Sequence, residues 1–297
     1  MMRKRVKVSV PGACGELLQG TIDDKNILIG CPIDCHTYLT LEKDDRIEGI
    51  RMNQEKPKTL LAIDKTLEHY GVKGSGFEVT LQSDLLVEKG MASSTADITA
   101  GIIATMTLLN KTIDLDLVTK IAIAIEPTDP CYYNEIVAFD HIEGEVLERL
   151  GPMKDYPIIV LDVGGTVNTI GFNLDKKLIQ LKRSKEKAIK SGYAKIKNGI
   201  KTNTLELLGE GIHLSSLAHQ KILYKPMLEV LINYARETNE ILGVNVAHSG
   251  SLVGVILKSE KDIEIIKKEL RRKFSSFKYL MTTRICSEGY NILEIQS

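Results

Sequence analysis

The chain has 297 residues, 43% of them hydrophobic, with 39 Lys and Arg against 39 Asp and Glu, so its formal net charge is zero. That balance argues against a dedicated nucleic-acid binder, whose footprint is a basic excess, and the length suffices to bury a core without disulfides. No run of about 18 apolar residues exists, so no membrane span is expected.

At the N-terminus the charges of Arg3, Lys4 and Arg5 resemble the start of a signal peptide. Lys7 and Ser9 interrupt the apolar stretch and Pro11 stops it, so a first strand is expected instead. Val6, Val8 and Val10 alternate with polar neighbours, the period of a half-buried strand. The run Pro11 to Gly20 then reads as a glycine- and proline-shaped turn with Glu16 at a strand end. His36–Glu42 and Phe77–Leu81 read as further strands, and Lys58–Tyr70 between them as a helix ended by Gly71. From Ser93, Ile98, Ile102, Met106 and Leu109 recur at helical spacing, with Asp97 placed in the first turn to suit the helix dipole. Leu117–Ile125 fits either a strand or a packed helix, ended by Pro127.

A boundary near Gly151–Pro152 divides the chain into domains 1–151 and 152–297. Ile158–Val163 reads as a buried strand closed by Gly164 and Gly165, and the lysine-rich Asp175–Lys201 as a solvated helix face or exposed connector. Met227, Leu231 and Tyr234 mark an amphipathic helix. The remainder reads strand (Val244–His248), strand (Leu252–Leu257), helix (Lys261–Phe274), strand (Tyr279–Cys286), strand (Tyr290–Ile295). The five cysteines form no CxxC pair, and free thiols point to a reducing cytoplasm. Cys31, Cys35 and His36 read as small residues around a strand rather than metal ligands, because no second ligand pair follows at zinc spacing.

Four short segments carry candidate chemistry. Glu88 to Thr95 is a small-residue loop opening the clearest helix; unpaired N–H groups and the dipole make such a loop an anion site, with serine hydroxyls and Lys89 beside it. No GxxxxGK[ST] P-loop occurs, and the glycines of 71–76 lie in the wrong order for a dinucleotide fingerprint. Glu126-Pro127-Thr128-Asp129-Pro130 sets two carboxylates on a proline-stiffened turn, where phosphoryl transfer to an alcohol needs one near the hydroxyl and another group holding the metal. Glu16 with Gln19, and the Ala247-His248-Ser249-Gly250-Ser251 turn, complete the set. Each alone is equally an ordinary cap or turn.

Their order is more specific than any one of them. A strand followed by PGACGELLQG, then Ser83-Asp84-Leu85 with Gly90-Met91-Ala92-Ser93-Ser94, the EPTDP turn and the late Ser249-Gly250-Ser251 turn resemble the GHMP kinases from Val6 to about Gly254. That family includes galactokinase, homoserine kinase and the mevalonate and phosphomevalonate kinases. Within it, PGACGELLQG, EPTDP, Phe139-Asp140-His141 and AHSG are similar to the L-threonine kinases of cobalamin synthesis. The chain departs from the family pattern at Leu86, where proline is usual, and at Glu88 and Ala92, where glycines are.

The resemblance implies an α+β, two-domain fold, a ribosomal S5-like N-terminal domain and a ferredoxin-like C-terminal domain, with ATP and acceptor meeting between them. It implies that Lys89, Gly90, Met91, Ala92, Ser93 and Ser94 wrap the triphosphate, that Ser94 and Glu126 hold Mg2+, and that Asp129 orients or deprotonates the acceptor hydroxyl. Glu16, with Gln19, would face the acceptor, Glu16 taking the ammonium of an amino acid. The expected activity is phosphorylation of the hydroxyl of L-threonine in the cytoplasm, without nucleic-acid or membrane partners and with a homodimer as candidate assembly. Homoserine or another small hydroxylated metabolite is the alternative acceptor, and a metabolite-binding homologue without turnover the alternative class.

Overall fold

The computed structural model describes residues 4–44, 46–72, 76–164, 181 and 183–296. Strands β1 (Arg5–Ile22) and β2 (Lys25–Lys43) form a long hairpin. Its two-residue loop, Asp23 and Asp24, has φ of 49° and 62°, the left-handed pair that a hairpin loop of primed type requires. The run from Pro11 to Gly20 is therefore strand, not the expected turn, and Glu16 sits within β1 rather than at a strand end. The register slips between Pro11 and Gly12, between Ala13 and Glu16, and between Glu16 and Leu18. Such bulges absorb proline and glycine by bending a strand without ending it.

Strand β3 (Ile50–Met52) pairs in parallel with β4 (Phe77–Ser83), and helix α1 (Pro57–His69) connects them. Gly71 follows α1 at φ 68°, as a helix-ending residue should. Helix α2 (Ser93–Leu108) is buried on nearly every side. Thr99, Thr105 and Thr107 fit there because each hydroxyl donates to the carbonyl four residues back, as Thr99 does to the Thr95 carbonyl (2.7 Å). Asp97 lies beyond the first turn of α2 and serves no dipole; Lys56 Nζ (2.7 Å) and the Thr37 hydroxyl (2.7 Å) take up its carboxylate. The segment open between strand and helix is helix α3 (Leu115–Ile123), capped by the Asp114 side chain. Its buried residues Val118, Ile121 and Ala122 follow helical spacing, while Ile123 and Ile125 stay partly exposed. The hairpin β5 (Ile136–Asp140) and β6 (Glu145–Gly151) follows, then β7 (Pro157–Asp162).

The second half holds helices α4 (Glu186–Thr202), α5 (Leu205–His219) and α6 (Leu228–Glu237), strands β8 (Ile241–Val246) and β9 (Leu252–Leu257), helix α7 (Ile263–Lys273), and strands β10 (Lys278–Arg284) and β11 (Asn291–Gln296). Of the lysine-rich stretch, 175–180 and 182 lie outside the described residues, as does Gly165. The part in α4 is not a free solvated face: Lys197 and Lys201 both bind Glu148 of β6, at 2.8 and 2.9 Å. Lys185, just before α4, is buried and donates to the Gln19 carbonyl (3.0 Å).

The strands join in one sheet of order β10-β7-β9-β8-β1-β2-β4-β3, with β11 added beside β1 and β5–β6 beside β2. Among the described residues two apolar clusters form the core. One packs α1 and α2 on β1, β2 and β4; the other packs α6 and α7 on β7, β8 and β9. The two halves of the sheet meet where Glu16 lies opposite Val246, and an isolated bridge also joins Ile33 to Ile285. Among the described residues no helix is long and apolar enough to cross a membrane.

Gly15, beside that pair, has φ 58°, and a Cβ there would lie 2.5 Å from Ala247 N and from Val246 O. Gly71 has a similar φ, 68°, but open space around it. Gly71→Ala should cost about 1–2 kcal/mol of backbone strain alone. Gly15→Ala should cost clearly more, because the backbone of β8 must also move; urea denaturation of both variants measures the difference.

Candidate active site

The loop after β4 reaches α2 through three left-handed residues, Glu88 (φ 61°), Gly90 (φ 92°) and Ala92 (φ 51°). Glu88 and Ala92 are the positions where this chain departs from the glycines of the resembling family, so the loop keeps a glycine-like backbone without the glycines. Ala92 is the N-cap of α2 and supplies no side-chain cap to the first turn. Met91 is buried and anchors the loop, whereas Ala92, Ser93 and Ser94 are partly exposed. Exposed N–H groups with a helix dipole behind them favour an anion.

Two backbone segments hold this loop from behind. Ala13 N–H donates to the Met91 carbonyl and Gly15 N–H to the Gly90 carbonyl, both at 3.0 Å. On the other side Gly250 lies against Lys89 and Gly90: a Cβ there would meet the Lys89 carbonyl, and lie 2.6 Å from Gly90 N. The β1 bulge and the Ser249-Gly250-Ser251 turn thus meet on the loop, backbone to backbone. Lys89 itself reaches Asp162 at the end of β7 (2.9 Å).

The proline-flanked turn docks on the same helix end. Asp129 N–H donates to the Thr95 hydroxyl (3.3 Å), and Thr128 N–H to the His141 carbonyl (3.1 Å). Asp129 Oδ1 is enclosed and has no hydrogen-bond partner among the described residues. It occupies room left by Gly30, whose Cβ would lie 2.7 Å away. Gly30 is also the cross-strand partner of Glu16, so this glycine lets the two carboxylates approach. Burial first, and the Glu16 charge second, push the Asp129 carboxyl up to about 8 against the opposing Cys131 N–H. Glu126 is turned elsewhere, its carboxylate paired with Lys58 of α1.

Glu16 is buried, and its Oε2 accepts from His248 N–H (2.8 Å) and lies 2.9 Å from His248 Nδ1. Burial raises it to about 7, opposed by the His248 N–H and by the charges of Lys225, His141 and Lys185. Gln19 joins the same cluster: its Nε2 lies 3.3 Å from His141 Nε2. His248 packs against His219, ring centroids 4.0 Å apart and planes inclined at 51°, and burial holds both imidazoles well below their usual range.

The structure thus brings Lys89–Ser94, Asp129, Glu16 and Gln19 into one region and leaves Glu126 with a cation of its own. Sequence reasoning passed over Lys185, His219, Lys225, Asp162 and Lys58. Each is a single charged or polar residue in an unremarkable stretch, and only the fold carries it inward.

Among the described residues no group of three or more His, Cys, Asp or Glu side chains could cage a metal ion. Ser94, partly exposed in the first turn of α2, offers one hydroxyl to a hard ion that takes most of its ligands from phosphate and water.

A left-handed loop feeding a helix N-terminus, with a carboxylate docked beside it, is suited to holding an anion next to a proton acceptor. Residues 57–133 match the GHMP kinases N terminal domain and residues 196–276 the GHMP kinases C terminal domain. An L-threonine kinase of Citrobacter freundii is 30% identical over 267 residues, 89% of this chain and 90% of that protein. The fold is similar to a homoserine kinase from Cytophaga hutchinsonii, with TM-score 0.72, 16% identity and 97% of each chain covered. It is also similar to MDDEF in complex with MVAPP, AMPPCP and magnesium, with TM-score 0.73, 15% identity, and 98% of this chain and 99% of that one covered. The chain belongs to the GHMP kinases and has their mixed α+β, two-domain fold.

The raised Asp129 carboxyl carries a stability consequence. Between the ordinary aspartate value and about 8 the folded state holds a proton that the unfolded state has lost, so this group's contribution falls as pH rises through 8. Asp129→Asn should therefore raise Tm relative to the parent at pH 9 and much less at pH 4, as differential scanning calorimetry at the two pH values would register.

Proposed function

We propose that this GHMP kinase transfers the terminal phosphoryl group of ATP to the side-chain hydroxyl of L-threonine, giving O-phospho-L-threonine for cobalamin side-chain synthesis in the cytoplasm. The observation that carries the reading is the enclosed, unpartnered Asp129 Oδ1 held at the start of α2, where the left-handed loop ends. The similarity to an L-threonine kinase across most of both chains supports the choice of acceptor.

In this reading residues 1–151 carry the nucleotide loop, and residues 152–297 back it through the Gly250 turn. ATP bound with Mg2+ supplies the phosphoryl group. The N–H groups of Ser93, Ser94 and Thr95 donate to phosphate oxygens, Lys89 exchanges Asp162 for phosphate charge, and the Ser94 hydroxyl is a ligand for Mg2+. Glu126 is the second such ligand and would give up Lys58 to serve. Asp129 accepts the hydroxyl proton at Oδ1. A base whose proton affinity lies near the working pH combines availability with driving force. Glu16 and Gln19 face the acceptor, the charge of Glu16 meeting its ammonium.

The test is a coupled ADP-release assay with purified protein, ATP, Mg2+ and a panel of hydroxylated amino acids. ADP release dependent on L-threonine is expected; release with homoserine alone would reassign the acceptor, and nucleotide binding without turnover would make the protein a binding homologue. Asp129→Ala should lower kcat by ~10²–10⁴-fold with the fold intact by circular dichroism. Wild-type kcat/KM should fall as pH drops below about 8, the value to which the Asp129 carboxyl is raised. Ser94→Ala should chiefly raise KM for MgATP.

A further inference from the structure

Lys225, between α5 and α6, has the burial of a core residue, with 2% of its surface exposed. Its main chain is clamped by one side chain: Gln220 Nε2 donates to the Lys225 carbonyl (3.0 Å), and Lys225 N–H donates to Gln220 Oε1 (2.7 Å). So seated, Lys225 Nζ donates to the Gly250 carbonyl (2.7 Å). Gly250 is the residue on which the Lys89 and Gly90 backbone rests. Among the described residues the opposite charges acting on the ammonium are Glu16 of β1 and Asp162 of β7, and Asp162 is also the partner of Lys89. The imidazoles of His248 and His219 lie within its field.

A neutral donor could satisfy one carbonyl without the desolvation of an ammonium. What the cation adds is a fixed positive charge between the Glu16 pocket and the loop. We propose that Lys225 is a positioning residue for the polyphosphate loop: its ammonium pins the Gly250 carbonyl and so fixes the surface on which Lys89 and Gly90 are seated, making nucleotide affinity depend on a charge set behind the loop. The inference rests on the reading of residues 89–94 as the nucleotide loop.

Burial brings the Lys225 amine down to about 8, despite Glu16 and Asp162. Above that pH the folded state holds fewer protons than the unfolded one, so this group's effect on stability becomes more favourable as pH rises toward the ordinary lysine value. Over the same window the grip on Gly250 weakens. Loss of nucleotide affinity and loss of fold therefore carry opposite signs for this residue.

The experiment is calorimetric titration of the full chain with Mg2+ and a non-hydrolysable ATP analogue from pH 7 to 9, for wild type, Lys225→Met, Lys225→Arg and Gln220→Leu. Lys225→Met should weaken binding about ten- to a hundredfold at pH 7, the range of one hydrogen bond to a charged group. It should also flatten the decline in affinity that wild type shows through pH 8. Lys225→Arg should recover part of the affinity and keep it at pH 9. Should Lys225→Met fail to fold, Gln220→Leu decides: released from its clamp, the ammonium should hold the turn less well, and affinity should drop while the pH dependence persists. Wild type that binds the analogue, with Lys225→Met or, failing that, Gln220→Leu unchanged in affinity, would overturn the role of Lys225 and leave the kinase reading standing. Wild type that does not bind the analogue would overturn both.

Discussion

The site depends on close approach of three stretches of main chain. The β1 bulge at Gly12–Gly15, the loop at Lys89–Ala92 and the turn at Ala247–Ser251 touch through backbone atoms, with no side-chain layer between them. Only glycines permit this: a Cβ on Gly12 would lie 2.5 Å from the Met91 carbonyl, and one on Gly90 would meet the Ala247 side chain. Backbone groups are rigid, directional partners, and an anion site made of them needs little reordering when it fills. The two halves of the sheet come together at this same place, through the Glu16–Val246 pair. Loop position and the relation of the halves are thus one constraint.

Around that contact the chain buries charge that water would otherwise solvate. Glu16 and Asp129 share the space opened by Gly30, each raised chiefly by burial. Desolvating carboxylates works against folding, and the tolerance of two of them in so small a volume is what a phosphoryl-transfer site in this reading would require. Strain and buried charge concentrate at functional sites in this way. The surrounding cations, Lys185 and Lys225, are themselves enclosed and attached to main-chain carbonyls, so they act as fixed field rather than mobile counter-ions.

Much of this was legible in the sequence. Helix α2, the strands β4, β7 and β9 and the order of the motifs follow from periodicity and small-residue spacing, which are local properties. The Pro11–Gly20 run misled because its glycines and proline serve bulges in a continuing strand, a distinction made by pairing partners far along the chain. Asp97 misled because a position near a helix start does not reveal Lys56 and Thr37 waiting beside it. Leu205–His219, with Gly209 and Gly211 and little amphipathic contrast, carries no outward sign of a helix; its shape is set by packing on α4 and β8, Gly209 lying against Leu242 and Gly211 against Gly192. The enclosed cations were invisible for the same reason: nothing near Lys225 in sequence distinguishes it from a surface lysine.

Strand β11 pairs Gln296 with Arg5 and Asn291 with Ser9, closing the free side of β1. On the ribosome residues 5–9 are made long before residues 291–296, and that edge of β1 lies open in the interval. Non-local pairing of this reach slows folding, and an uncovered edge invites strands from other chains. The nascent chain therefore carries this edge of β1 uncovered for as long as it takes to make β11.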